Sequence, residues 1–194
     1  MTDLWSILAG ISFASGLNIY ATVLALGLLH RWDIVSLPGQ LSVVSSTPVL
    51  AGAAVLYTVE FIADKVPYID SFWDLIHSVI RPAGAAVLAY SALGGVSPEW
   101  QLLAALIGGG VALTSHTAKA STRAAVNLSP EPFSNWALSL MEDGIAFALV
   151  WLSAAHPLIA LVLLSVLIAV AVWIVVTFSR LIRRVWPFSP ARKA

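Results

Sequence analysis

The sequence predicts an all-α integral membrane protein, a polytopic bundle of about six transmembrane helices. Of its 194 residues, 59% are hydrophobic and only 10% are charged, whereas charged residues make up about 25% of an ordinary soluble domain. The mean hydropathy is +0.90. The stretch from Pro157 to Phe178 contains no charged residue and is long enough to cross a hydrocarbon core about 30 Å thick. We therefore expect lipid to surround most of the chain.

The predicted helices are separated by short runs of glycine, proline and serine, which end helices and form turns. Their bounds are 4–29, 47–65, 72–94, 99–126, 134–153 and 157–180. The first residues lack the basic segment that begins a signal peptide, so the first helix is counted as a span. Residues 1–194 then form one transmembrane domain, with halves at 1–96 and 97–185 and a basic tail at 186–194.

Basic residues indicate the orientation of this bundle. If the C-terminus is cytoplasmic, six spans place the N-terminus on the same side, together with the second and fourth loops. That side holds Lys65, Lys119, Arg123 and the C-terminal basic residues, while the outer loops hold only Arg31. The C-terminal basic residues are Arg180, Arg183, Arg184, Arg192 and Lys193. The asymmetry predicts that both termini are cytoplasmic.

Two short segments resemble each other, each ending an apolar run with a glutamate. They are 55–60 (VLYTVE) and 137–142 (ALSLME), in the middle helices of the two proposed halves. A repeat with an odd number of spans is inverted in the membrane, an architecture common among secondary transporters. Two inverted three-helix repeats would bring Glu60 and Glu142 to the same central region.

Charged side chains also occur within the apolar helices, where each costs about 2.5–3.5 kcal/mol on insertion scales and usually marks a pathway or a site. Spacings of three and four residues place several of them on common helix faces, and we expect the basic ones to face the carboxylates. The candidate binding or pathway residues are Asn18, Tyr20, Glu60, Asp64, Asp74, His77, Arg81, His116, Lys119, Arg123, Glu142 and Asp143. If a metal is bound, its candidate ligands are Glu60, Asp64, Asp70, Asp74 and His77, an oxygen-rich set that suits Mg²⁺ or Mn²⁺. The cofactor itself is unknown.

Structural roles remain open for the same residues. Ser71 and Asp74 have the spacing of a capping box at a helix start, and the glutamates could form structural ion pairs with Arg81, Lys119 or Arg123. A lone helical histidine such as His116 is more often a hydrogen-bonded packing residue than a ligand. The run 108–110 (GGG) favours close helix approach, or else a helix break that lines a cavity.

Several function classes are excluded or disfavoured. The net charge is zero, so nucleic acid is not an expected partner. The chain has no cysteine, which excludes disulfides, thiol catalysis and thiolate metal sites. The sequence motifs of common soluble hydrolases, nucleotide-binding proteins and zinc proteases are absent.

The polar motifs together resemble an uncharacterised family of bacterial integral membrane proteins, of the domain of unknown function 4126 type. The segments that carry the resemblance are 16–22 (GLNIYAT), 60–74, His77 with Arg81-Pro82, 116–123, 129–132 (SPEP), 134–136 (SNW) and 142–143 (ED). The resemblance implies that these polar residues are the family's signature and that the protein lies in the bacterial inner membrane. It implies no activity.

Three functions are compatible with these observations. The first is a small transporter or channel with a polar, charged site in the cytoplasmic half of the bundle, for a solute or ion that the sequence does not identify. The second is a non-catalytic membrane scaffold or lipid-binding protein, and the third a metal-dependent intramembrane enzyme acting on lipid phosphate. The expected partners are membrane lipid and a small solute or ion. Association into homo-oligomers remains open.

Overall fold

The computed structural model describes residues 2–66, 68–128 and 132–185. Within these ranges the chain is helical and contains no β-strand. The predictions for Pro67, for residues 129–131 and for the tail at 186–194 fall outside them. The helices in chain order are α1 (Thr2–Leu17), α2 (Ile19–Arg31), α3 (Thr47–Ala63), α4 (Ile69–Ala92), α5 (Pro98–Val126), α6 (Pro132–Ala155) and α7 (Pro157–Val185), with one 3₁₀ turn at Leu41–Ser45.

Proline and short loops set most helix boundaries, as the sequence predicts. Proline stands in the first turn of α3 and α5 and is the first residue of α6 and α7, where its missing N–H costs nothing. The five segments predicted from residue 47 onward each correspond to one helix. The first predicted segment, 4–29, contains two helices.

The first segment is interrupted at Asn18, whose backbone is extended (φ −154°, ψ 105°). The Oδ1 atom of Asn18 accepts a hydrogen bond of 2.9 Å from the backbone N–H of Ala21. This side chain therefore caps the N-terminus of α2. The cap ends one helix and begins the next within a single residue.

Helix α1 starts near the C-terminal end of α6 and ends beside the middle of α6. Near the start of α1, the hydroxyl of Ser6 donates to the carbonyl oxygen of Pro157, where α7 begins, at 3.2 Å. Gly10 lies against Ser153 of α6. At the end of α1, the side chain of Asn18 reaches Asp143, halfway along α6.

Helix α2 returns toward the side from which α1 came. Trp32, just beyond its end, lines a surface cavity with Trp151 near the end of α6, and Arg31 donates to the hydroxyl of Thr47 at the start of α3 at 3.3 Å. Helices α1 and α2 thus form an antiparallel hairpin with its tip at Asn18. The prediction of one continuous helix at 4–29 is wrong, because the Asn18 cap ends the first helix inside the bundle.

The hairpin affects where the first and last described helices end. Helices α3 to α7 alternate in direction, so the start of α1 and the end of α7 lie at opposite ends of the bundle. The side of the membrane that each terminus faces stays a prediction.

The packing buries the charged residues together with an apolar core and leaves a largely apolar outer surface. Helix α1 lies at the centre and packs against α4, α5, α6 and α7, while Val55, Leu106, Val162 and Trp173 are each more than 60% exposed. Two helices, Phe133–Ala155 and Pro157–Arg184, are long and apolar enough to cross a membrane by length and composition.

The glycine run does not break its helix. Helix α5 is continuous from Pro98 to Val126. A Cβ atom on Gly108 would lie 2.8 Å from the Cβ of Ala89 and 2.9 Å from the Oγ of Ser12, and one on Gly109 would lie 3.2 Å from the carbonyl oxygen of Pro82. Two of the three glycines therefore permit close helix approach, and the break occurs in the first segment.

Candidate functional site

Seven charged side chains meet at the level of the α1–α2 break, and each residue is no more than 6% exposed. We call this group the ion-pair network. Helix α5 contributes two of its cations from one face, since residues four apart in a helix lie one above the other. The members are Glu60, Asp64, Asp74, Arg81, Lys119, Arg123 and Glu142.

Arg81 of α4 connects α3 to its own helix. Its Nη2 lies 2.9 Å from Oε1 of Glu60, and its Nη1 lies 3.0 Å from Oδ1 of Asp74. Nη1 also lies 2.7 Å from Nδ1 of His116 on α5. The guanidinium group is fully buried and so depends on these partners to offset its lost hydration.

Lys119 of α5 is the cation with the most partners. Its Nζ lies 2.7 Å from Oδ2 of Asp64, 3.3 Å from Oε2 of Glu142 and 3.8 Å from Oε1 of Glu60. The two glutamates thus contact the same ammonium group. The structure confirms the prediction that Glu60 and Glu142 approach one central region.

Arg123 completes the network one helical turn further along α5. Its Nη2 donates to Oε2 of Glu142 at 2.6 Å and to Oδ2 of Asp64 at 3.2 Å, and its Nη1 donates to the backbone carbonyl of Asp64. Lys119 and Arg123 share both carboxylates. The prediction that the basic face of α5 is directed at the carboxylates is therefore confirmed.

The break at Asn18 supplies backbone acceptors to the same cations. The last carbonyl groups of a helix have no partner within it and form the negative end of its dipole. Lys119 Nζ donates to the carbonyl oxygen of Leu17 at 3.1 Å, and Arg81 Nη1 donates to that of Gly16 at 3.4 Å. The C-terminus of α1 is thus part of the site.

Two histidines border the network, and both ring nitrogens of each have a hydrogen-bond partner. His77 pairs its Nδ1 with the carbonyl oxygen of Trp73 at 2.8 Å and its Nε2 with the hydroxyl of Tyr20 at 3.1 Å. Nδ1 of His116 accepts from Arg81, so its Nε2 is free to donate to the hydroxyl of Ser78, 3.1 Å away. This arrangement supports the packing role considered for His116.

The network contains one more carboxylate than it has cations. Several of its buried polar atoms also lack a partner with hydrogen-bond geometry among the described residues: Oε2 of Glu60, Oδ1 of Asp64, both carboxylate oxygens of Asp74 and Nε of Arg81. Oδ1 of Asp74 has only its ion-pair contact with Arg81. Such atoms are rare in folded proteins and call for an explanation. A network built only for stability would be expected to pair them.

Asp143 follows Glu142 on α6 but lies outside the network. Its Oδ1 accepts from Nδ2 of Asn18 at 2.9 Å, and its Oδ2 accepts from the hydroxyl of Tyr57 at 3.2 Å. In the described part of the chain, no cation lies within ion-pair distance of Asp143. We call Asn18, Tyr57 and Asp143 the neutral-donor site.

Asp70 occupies a separate position at the loop side of the network. Nδ2 of Asn127 donates to its two carboxylate oxygens at 2.9 and 3.0 Å, and Nη1 of Arg123 lies 3.7 Å away. Helix α4 already begins at Ile69, so Ser71 is inside it and Asp74 is directed to Arg81. The capping-box interpretation of Ser71 and Asp74 is therefore wrong.

The five candidate metal ligands do not form a metal site. Among the described residues, no group of three or more acidic, histidine or cysteine side chains has the geometry to hold a metal ion. The physical reason lies in their partners, because Glu60, Asp64 and Asp74 are held by cations and Asp70 is held by Asn127.

Most predicted site residues therefore lie together, in or beside the network, with Asp143 beside the break. Sequence reasoning missed the backbone carbonyls of Gly16 and Leu17 and the amide of Asn127. Asn18 was a signal for the carbonyls of Gly16 and Leu17, because asparagine is a preferred helix cap and a cap at Asn18 implies that a helix ends just before it.

An apolar cavity of about 210 Å³ opens beside the network between α1, α5, α6 and α7. Its lining is apolar apart from a few polar residues, including Lys119 and Glu142. The cavity therefore reaches the charged groups of the network.

Comparison with known proteins gives one result. The model of a family described as Domain of unknown function (DUF4126) matches residues 6–177. No curated protein and no solved structure matches the chain.

Proposed function

The chain belongs to the family described as Domain of unknown function (DUF4126), and we propose that it is a small membrane transporter or channel whose solute or ion site is the ion-pair network. The observation that carries this proposal is the helix break at the level of the network. The solute or ion is unidentified.

Discontinuous helices support a transport function for a physical reason. At bilayer depth, irregular backbone is tolerated only where protein buries it or where it lines a cavity. In many transporters, such breaks direct helix ends at an ionic site near the bilayer midplane. Here, the freed carbonyls of Gly16 and Leu17 accept from Arg81 and Lys119.

The surplus carboxylate and the unpaired buried oxygens add a second argument. A proton or a small solute with donor groups could satisfy Oε2 of Glu60 and the oxygens of Asp74. Buried charged groups in membrane proteins commonly mark such sites. The network then resembles a binding site in a closed state.

For membrane topology, we propose five crossings by α3 to α7 and a re-entrant α1–α2 hairpin in the bacterial inner membrane. The end of α7 and the α3–α4 loop face the cytoplasm, which retains the excess of basic residues there. The start of α1 then faces the outer side. Helices α2 to α4 run opposite to α5 to α7, as inverted repeats would require.

The main alternative is a membrane scaffold or lipid-binding protein. Its support is the near-complete burial of the network and the apolar cavity beside it. The two functions differ in one observable property, because a transport site must become accessible to water during its cycle.

The cysteine-free chain permits a direct accessibility test. We expect a single cysteine at Thr122, which lines the cavity beside Lys119, to react with a membrane-impermeant thiol reagent in proteoliposomes. A cysteine at the exposed apolar Val162 of α7 is the lipid-facing control and should not react. If the cysteine at 122 stays as inert as that at 162 under every pH and ion gradient, while an exposed Ser36→Cys reacts, the scaffold function replaces the transporter.

The same approach tests the re-entrant hairpin. Cysteines at Trp5 and Ser36 should react with reagent added from one side, and a cysteine at Val66 with reagent added from the other. Reaction of Trp5→Cys and Ser36→Cys from opposite sides would show that the first segment crosses once.

A further inference from the structure

Among the buried carboxylates that the structure describes, the one in the neutral-donor site is distinguished by having no cation within ion-pair distance. Asp143 is 5% exposed, and its two oxygens accept from an amide and a phenol. A buried ionised carboxylate without a cation is costly, whereas its neutral form is not. Intramembrane carboxylates of this kind commonly belong to proton relays.

We propose that Asp143 is a proton-binding site and that the proton is the coupling ion of the protein. This inference deepens the proposed transport function, on which the coupling role rests. Proton binding at Asp143 itself is independent of that function.

The charged surroundings of Asp143 come from several elements. Tyr57 lies in α3, Asp64 is the C-cap of α3, and Lys65 follows it. Lys119 lies in α5. Glu142 precedes Asp143 on α6 but is held by Lys119 and Arg123. The nearest carboxylates are thus already paired with cations, which leaves Asp143 as the acid that can change charge without breaking an ion pair.

The position of Asp143 connects its charge to the hairpin tip. The Asn18 side chain uses Oδ1 to cap α2 and Nδ2 to bind Asp143. When a proton from water binds Oδ2, that oxygen becomes a donor and the Tyr57 hydroxyl becomes its acceptor. The bond from Asn18 to a carboxylate then becomes a weaker bond to a neutral acid, and the break beside the cations of the network is loosened.

Infrared titration of the full-length protein in lipid tests the site directly. We expect the C=O stretching band of a protonated carboxyl group to appear as the pH falls, and Asp143→Asn to remove it. Glu99→Gln, at an exposed position in the first turn of α5, is the matched control and should leave the band unchanged. Tyr57→Phe should keep the band but move it to higher frequency, because a hydrogen bond to the carboxyl group is lost. This variant tests the assignment if Asp143→Asn does not fold.

A second arm measures proton entry into proteoliposomes that enclose a pH-sensitive dye, under an imposed pH gradient. A band that depends on Asp143 without proton movement supports the binding site and overturns the coupling role. Proton movement that persists in Asp143→Asn supports transport and overturns the assignment of Asp143. A titration in which no carboxyl band depends on Asp143 or responds to Tyr57→Phe overturns the inference.

Discussion

Glu142 and Asp143 are neighbours on α6, yet their surroundings differ in kind. Glu142 contacts two buried cations, Lys119 and Arg123, whereas Asp143 contacts a neutral amide and a neutral phenol. Successive residues of a helix point about 100° apart, so one carboxylate is directed at α5 and the other at the hairpin tip. The difference separates a charge that is fixed by its ionic partners from one that can change.

The largest expected effect on stability follows from breaking the ion pair between Arg123 and Glu142. Arg123→Ala leaves Glu142 with Lys119 alone and removes a contact to Asp64, so we expect a loss of about 3–5 kcal/mol in unfolding free energy. Adding Glu142→Ala should restore part of that loss, because the uncompensated buried charge is removed. Thermal melting in detergent measures both variants, and a double variant less stable than the sum of the two single changes would contradict the pairing.

An intermediate effect is expected from separating the hairpin tip from α5. A Cβ atom on Gly16 would collide with the Ser115 hydroxyl and the Ala112 carbonyl group. Gly16→Val should therefore cost about 1–3 kcal/mol through overpacking and weaken the contacts of Lys119 and Arg81 to the end of α1. Gly110→Ala meets open space and is the matched control on the same melting assay. Equal melting temperatures for the two variants would contradict the close approach.

The smallest effect on stability is expected from a substitution at Asp143. Asp143→Asn retains an acceptor for Asn18 or Tyr57 and strands no cation, so its cost should stay within about 1 kcal/mol. Melting curves at neutral pH compare it with Glu142→Gln, which withdraws a negative charge from two cations and should be clearly more destabilising. A larger loss in Asp143→Asn than in Glu142→Gln would contradict the division between the two carboxylates.

Much of the fold could be predicted because its signals are local. Prolines and loop residues define the ends of α3 to α7, and uncharged apolar length identifies α7. The reversal at Asn18 could not be predicted in the same way. An asparagine inside an apolar segment is compatible with a continuous helix, and only its contacts with Ala21 and Asp143 show that the chain turns back.

The candidate site, like the fold, combines features that the sequence could predict with features that it could not. Helical spacing placed His116, Lys119 and Arg123 on one face, and charge complementarity indicated that carboxylates would meet them. Spacing within one helix carries no information on partners in another, so the contacts of Arg81 with Glu60 and His116 could not be assigned from the sequence. The contact of Asp74 with Arg81 within α4 was missed in favour of a local cap. Backbone acceptors such as Leu17 have no side-chain signature at all.

Flux in proteoliposomes tests the central claim, that the ion-pair network is a transport site, most directly. Proton and ion fluxes are compared for the parent protein and for the double variant Arg123→Ala, Glu142→Ala at matched folded protein. The account predicts that the parent carries a flux that empty liposomes lack, and that the folded double variant loses it because the removed groups bind the solute or ion. A double variant as active as the parent would contradict the account and leave the network as a structural element of a membrane scaffold.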